Sequence, residues 1–103
     1  MAMDYNVMII NEKGTYSTYT INAEKAVAAL FSALNMHVES EPGFKQNFSL
    51  TSDFWNTIKD TITTTNSVAD FKTRVKIVNG FCSKPAYRIK KVFYGYSEAN
   101  PDD

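Results

Sequence analysis

Apolar positions recur along this chain with two different periods, and the changes of period mark its elements. Residues 4–10 alternate, with Tyr5, Val7 and Ile9 on one face of an extended chain and Met8 and Ile10 on the other. Asn11-Glu12-Lys13-Gly14 follows, turn-forming residues ending in a glycine that can take positive φ. Residues 15–21 read TYSTYTI, a run of β-branched, aromatic and serine positions. Ser17, Tyr19 and Ile21 share one face there, and Tyr16, Thr18 and Thr20 the other. The two segments predict an N-terminal β-hairpin.

Beyond residue 22 the period lengthens. Val27, Leu30, Phe31 and Leu34 fall at i, i+3, i+4 and i+7, and Ala26, Ala28, Ala29 and Ala33 add helix propensity. Asn22 is a suitable N-cap and Glu24 an acid for the first turn, so the pattern predicts a helix over 23–37. Pro42-Gly43 marks a loop across 39–46. Thr51 or Ser52 then caps a second helix, with Asp53 in its first turn and Phe54, Trp55, Ile58 and Ile62 on its buried side. The threonine-rich run 61–65 has low helix propensity and ends this helix near residue 63.

The stretch FKTRVKIV at 71–78 fits two periods. As a strand it places Phe71, Val75 and Ile77 on one face but leaves Val78 among the charges. As a helix it starts with a Ser67 cap and Asp70 three residues on, and buries Val68, Phe71, Val75 and Val78. Asn79-Gly80 supplies a stop. The helix over 67–79 is the better fit, and a fourth strand in a C-terminal hairpin is the alternative. Residues 86–95 read as the last strand, where Tyr87 and Ile89 alternate with Arg88 and Lys90. The phase then shifts to Val92 and Tyr94, which implies a bulge at Lys90-Lys91. The expected fold is α+β, with order β-β-α-α-α-β and a three-stranded antiparallel sheet packed by helices. The single domain spans 1–96, and 97–103 reads as an acidic, frayed tail.

Composition sets the class. The chain has 103 residues, 44% of them hydrophobic and 14% aromatic, which fits one globular domain rather than a disordered segment. Its single cysteine rules out an internal disulfide, and a reducing, cytoplasmic setting is expected. No run approaches the ~20 apolar residues that span a bilayer, so no membrane partner is expected. The first ten residues lack the pattern of a signal peptide.

Few residues carry candidate chemistry. His37, the only histidine, sits at the expected end of the first helix, where an imidazolium suits the dipole. Cys82 stands near Lys84 but is more in keeping with a small buried residue than with a nucleophile. Asp53, Asp60 and Asp70 fit helix starts and helix surfaces. The four glycines are isolated, so there is no phosphate-binding loop. No catalytic residue, no cofactor and no metal site is expected.

Charge distribution changes the picture most. Net charge is zero, yet residues 71–97 hold Lys72, Arg74, Lys76, Lys84, Arg88, Lys90 and Lys91 and no acid. Residues 1–70 carry eight acids and four basic residues. Phe81, Tyr87, Phe93, Tyr94 and Tyr96 interleave the basic segment. Cations suit an acidic protein surface, and cations with aromatics suit single-stranded nucleic acid. The seven basic residues and Tyr94 are therefore the expected partner-binding set. The expectation is a small non-enzymatic binding or inhibitor protein that occupies a surface of a host macromolecule. The Asn-, Thr-, Tyr- and Phe-rich composition is in keeping with a phage or mobile-element product aimed at nucleic-acid-handling or defence machinery. A nucleic-acid-binding module is the alternative, and a homodimer through an edge strand is open.

Overall fold

The computed structural model describes residues 2–45 and 67–101. Its sheet has four antiparallel strands in the order β2-β1-β3-β4. The strands are β1 (Met3–Asn11), β2 (Tyr16–Ala23), β3 (Ile89–Tyr94) and β4 (Ser97–Glu98). Helices α1 (Ala26–Ser40) and α3 (Val68–Gly80) flank a one-turn helix α2 (Pro42–Lys45), and a 3-10 turn at Pro85–Tyr87 precedes β3. The α+β class stands. The expected sheet of three strands gains a fourth, and it comes from 97–98 rather than from 71–78. The expected helix over 51–63, with Trp55, lies outside the described residues.

The hairpin forms as its alternation requires. Val7 and Ile9 are fully buried, while the even-numbered residues of β2 are exposed. Gly14, at φ 95°, closes the turn between them. The ladder then runs further than expected. Asn22 pairs with Asp4 and its side-chain amide donates to Asp4 Oδ1 at 2.9 Å, so it is a strand residue and not a helix cap. Helix α1 consequently starts at Ala26, after an N-cap Lys25 that makes no side-chain cap bond, and ends at Ser40. Its stripe is as the spacing demands, with Val27, Leu30, Phe31 and Leu34 buried and Val38 extending it by a turn.

Helix α3 settles the ambiguous stretch. Ser67 Oγ accepts the Asp70 N–H at 3.0 Å, and Phe71, Val75 and Val78 are fully buried. Phe31 and Phe71 meet edge to face at 5.5 Å and join the two helices. The helix period wins because it buries three large side chains, whereas the strand period would bury Ile77, which is exposed. The expected bulge is present. Ile10 pairs with Lys91 and Asn11 with Ile89, so Lys90 has no partner across the ladder.

Ser97 and Glu98, read from the sequence as the start of a tail, form β4, and Ala99 and Asn100 are buried beside it. Gly95, at φ 62°, turns β3 into β4. The Ala99 N–H donates to the Val92 carbonyl at 2.8 Å, and Asn100 Oδ1 accepts the Val92 N–H at 2.9 Å. One glycine is fixed by space. A Cβ on Gly43 would lie 2.9 Å from Tyr87 Cβ and 3.0 Å from Cys82 Sγ. The Gly43 carbonyl also accepts both the N–H and the hydroxyl of Ser83 at 3.0 Å. Gly43→Ala is therefore expected to cost about 1–3 kcal/mol by overpacking, read as a lowered unfolding temperature. An unchanged midpoint would refute the contact.

Candidate functional site

The seven cations expected to face a partner do not share one surface. On α3, successive residues turn by about 100°. The buried stripe of Phe71, Val75 and Val78 therefore puts Lys72, Lys76 and Asn79 on one flank and Arg74 on the other. Asn79 then anchors its flank to the sheet. Its Nδ2 donates to the Ile89 carbonyl and its Oδ1 accepts the Ile89 N–H, both at 2.9 Å. Arg88 and Lys90 are exposed on either side of Ile89, whose own side chain is buried. The amide clamp thus brings Arg88 to the end of the Lys72–Lys76 line. That line continues up the helix for about 10 Å at 1.5 Å per residue.

Lys84 precedes the 3-10 turn, with its ammonium 5.9 Å from the centre of the Tyr87 ring. Lys91 pairs with Ile10 and points to the opposite face of the sheet from the buried Val92. Lys90, beside the buried Ile89 and across the bulge from Lys91, points to that same outer face. Tyr94 pairs with Val7 and packs against the core. The ridge is therefore Lys72, Lys76, Lys84 and Arg88, and Arg74, Lys90, Lys91 and Tyr94 stand apart from it. Among the described residues none of the seven cations forms an ion pair. The turn between β1 and β2 also reaches this ridge, because the Glu12 N–H donates to the Arg88 carbonyl and the Lys13 N–H to the Ala86 carbonyl, each at 2.9 Å. No local signal announces that contact, which joins residues far apart in the chain.

The interleaved aromatics are sorted differently. Phe81, Tyr87 and Tyr94 pack against the core. Phe93 pairs with Met8 on the outer face of the sheet, and Tyr96 is fully exposed beside it. There Asn6, Met8, Thr18, Phe93 and Tyr96 line an open depression of about 380 Å³. Asp4, Lys90, Lys91 and Glu98 occupy the same sheet face, two acids and two bases.

The residues with candidate chemistry are turned inward. His37 is 1% exposed, and Tyr19 Oη lies 2.9 Å from its Nδ1. Its Nε2 has no hydrogen-bond partner among the described residues, with Glu41 Oε2 at 4.0 Å. Burial lowers the His37 pKa to about 4 and raises that of Glu41. The imidazole is thus neutral at pH 7, and the expected imidazolium at a helix end is corrected. The helix runs on past His37, and desolvation outweighs the dipole. Cys82 is buried, and its Sγ–H donates to the Lys84 carbonyl at 3.1 Å. Burial pushes the thiol up, against a smaller lowering from that bond and from Arg88. Among the described residues no three His, Cys, Asp or Glu side chains stand close enough to hold a metal ion, and no helix is long and apolar enough to cross a membrane. No protein-family model matches the chain, and neither does any curated protein or solved structure.

Proposed function

We propose that the chain is a non-enzymatic binding protein that docks the ridge of Lys72, Lys76, Lys84 and Arg88 on an acidic surface of another protein. The observation that carries this reading is the Asn79 clamp, which gathers cations from two elements that no carboxylate among the described residues neutralises. Unpaired charges of one sign steer association and select complementary partners. Single-stranded nucleic acid is the second reading. It needs cations and stacking aromatics on one surface. Here the half-buried Phe93 and the exposed Tyr96 lie on a face where Asp4 and Glu98 offset Lys90 and Lys91, and Tyr87 and Tyr94 pack on the core. That separation favours the protein partner.

Affinity capture from the native host, with and without nuclease, tests the reading. Lys72→Glu, Lys76→Glu and Arg88→Glu together are expected to abolish capture while leaving the circular dichroism unchanged. Lys91→Glu, on the other face, is expected to leave capture intact. Undiminished capture by the triple variant would refute the ridge. Loss of capture on nuclease treatment would move the assignment to nucleic acid, with a log–log salt slope near −0.7 per phosphate contacted.

A further inference from the structure

The two edges of the sheet are not alike. β4 is two residues long, carries Glu98, and leads directly into the buried Ala99 and Asn100. Short, charged edges of that kind resist pairing with another chain. The opposite edge is β2, eight residues reading YSTYTINA, with no charge, no proline and an unbroken register against β1. Among the described residues it has none of the usual protections of an edge strand.

Backbone geometry identifies which groups it offers. The Asn11 N–H donates to the Thr15 carbonyl, in line with the register that pairs Ile10 with Tyr16. Antiparallel ladders alternate between bonded and non-bonded pairs. The N–H and C=O groups of Ser17, Tyr19, Ile21 and Ala23 therefore turn toward β1. Those of Tyr16, Thr18, Thr20 and Asn22 turn outward. No bond among the described residues satisfies these outward groups.

We infer that β2 pairs with β2 of a second copy, antiparallel about a two-fold axis at Tyr19, joining two sheets into one of eight strands. Four arguments select a second copy. The outward residues lie symmetrically about Tyr19, so this register sets Tyr16 opposite Asn22 and Thr18 opposite Thr20, satisfying all of them in about eight hydrogen bonds. A two-fold interface of this kind is self-complementary. Thr18 against Thr20 is a favourable cross-strand pair. No charge within the strand opposes itself. Tyr19 of each copy, held by His37, meets its twin at a non-bonded pair, where side chains approach most closely. The four ridge cations lie on α3 and at the two ends of the 3-10 turn, away from this edge.

Sedimentation equilibrium of the full chain tests the pairing. The mass is expected to rise from 11.6 kDa toward twice that value as concentration increases. Hydrogen exchange is expected to slow with concentration at the amides of Tyr16, Thr18, Thr20 and Asn22, and not at those of Ser17, Tyr19 and Ile21. The double variant Thr18→Lys with Thr20→Lys sets like charges opposite one another and is expected to stay monomeric with unchanged circular dichroism. A wild-type chain that remains monomeric up to about 1 mM would overturn the inference, since weaker contacts are not specific associations. So would a dimer that survives the double variant, or one whose protected amides lie elsewhere.

Discussion

Asn79→Ala lowers the stability of the fold by about 3 kcal/mol, because it deprives two buried backbone groups of their partners at once. Ile89 is 1% exposed, and its N–H and C=O are both satisfied by the Asn79 amide. Asn11, opposite Ile89 in the ladder, spends its own N–H on Thr15. Each orphaned group costs about 1–3 kcal/mol, and local relaxation recovers part of the sum. For a domain of this size the loss lowers the unfolding temperature by roughly 10–20 °C. Asn79→Asp separates the two bonds. It keeps an acceptor for the Ile89 N–H but turns a carboxylate toward the Ile89 carbonyl, so it destabilises as well. A normal unfolding midpoint for both variants would remove the clamp, and with it the reason that Lys76 and Arg88 share a ridge.

Acidification below about pH 6.5 is expected to destabilise the wild-type chain through His37. The folded state holds the imidazole neutral with a pKa of about 4, whereas the unfolded chain protonates near 6.5. Between those values the unfolded state binds more protons, so stability falls as pH falls and levels off below about 4. The full effect is on the order of 3 kcal/mol, from about 1.4 kcal/mol per pH unit of separation. Glu41 acts in the opposite sense, because burial raises its carboxyl and favours the protonated, folded form. His37→Gln removes the imidazole and flattens the curve of unfolding midpoint against pH between 7 and 4. Because His37 is the only histidine, its ring resonances report the folded pKa directly. Parallel curves for wild type and variant, or a titration midpoint near 6.5, would contradict this assignment.

Local rules carried those parts of the fold whose physics is local. The stripe of Val27, Leu30, Phe31 and Leu34 needs only the helical repeat. The Ser67 cap needs only three residues. The bulge showed as a phase shift because Ile89 and Val92 must both reach the core on either side of Lys90. Elsewhere a distant partner decided. Asn22 has the chemistry of a helix cap, but Asp4 and the strand ladder claimed it. Asn79 resembles a helix stop, yet its amide is used to hold Ile89. The strand β4 has no strand-forming composition, and exists because Gly95 reverses the chain and Asn100 receives the Val92 N–H. The burial of His37 depends on Tyr19 and Phe44 arriving from other elements. The surplus of basic residues was likewise visible, but not their division between surfaces. That division follows from where the 3.6-residue period of α3 meets the two-residue period of β3.

The position of β1 has a consequence for how the chain is made. Ile9 pairs with Ser17 on one side and with Val92 on the other. The first partner leaves the ribosome almost at once, the second about 80 residues later. At about 5–20 residues per second, several seconds pass with the inner strand of the finished sheet still an edge. During that interval the uncharged run Val7-Met8-Ile9-Ile10 presents an unpaired backbone, and an isolated hairpin is only marginally stable in water. Cooperative folding must therefore wait for the last strand, because closing the long loop between β1 and β3 is what turns an edge into a centre.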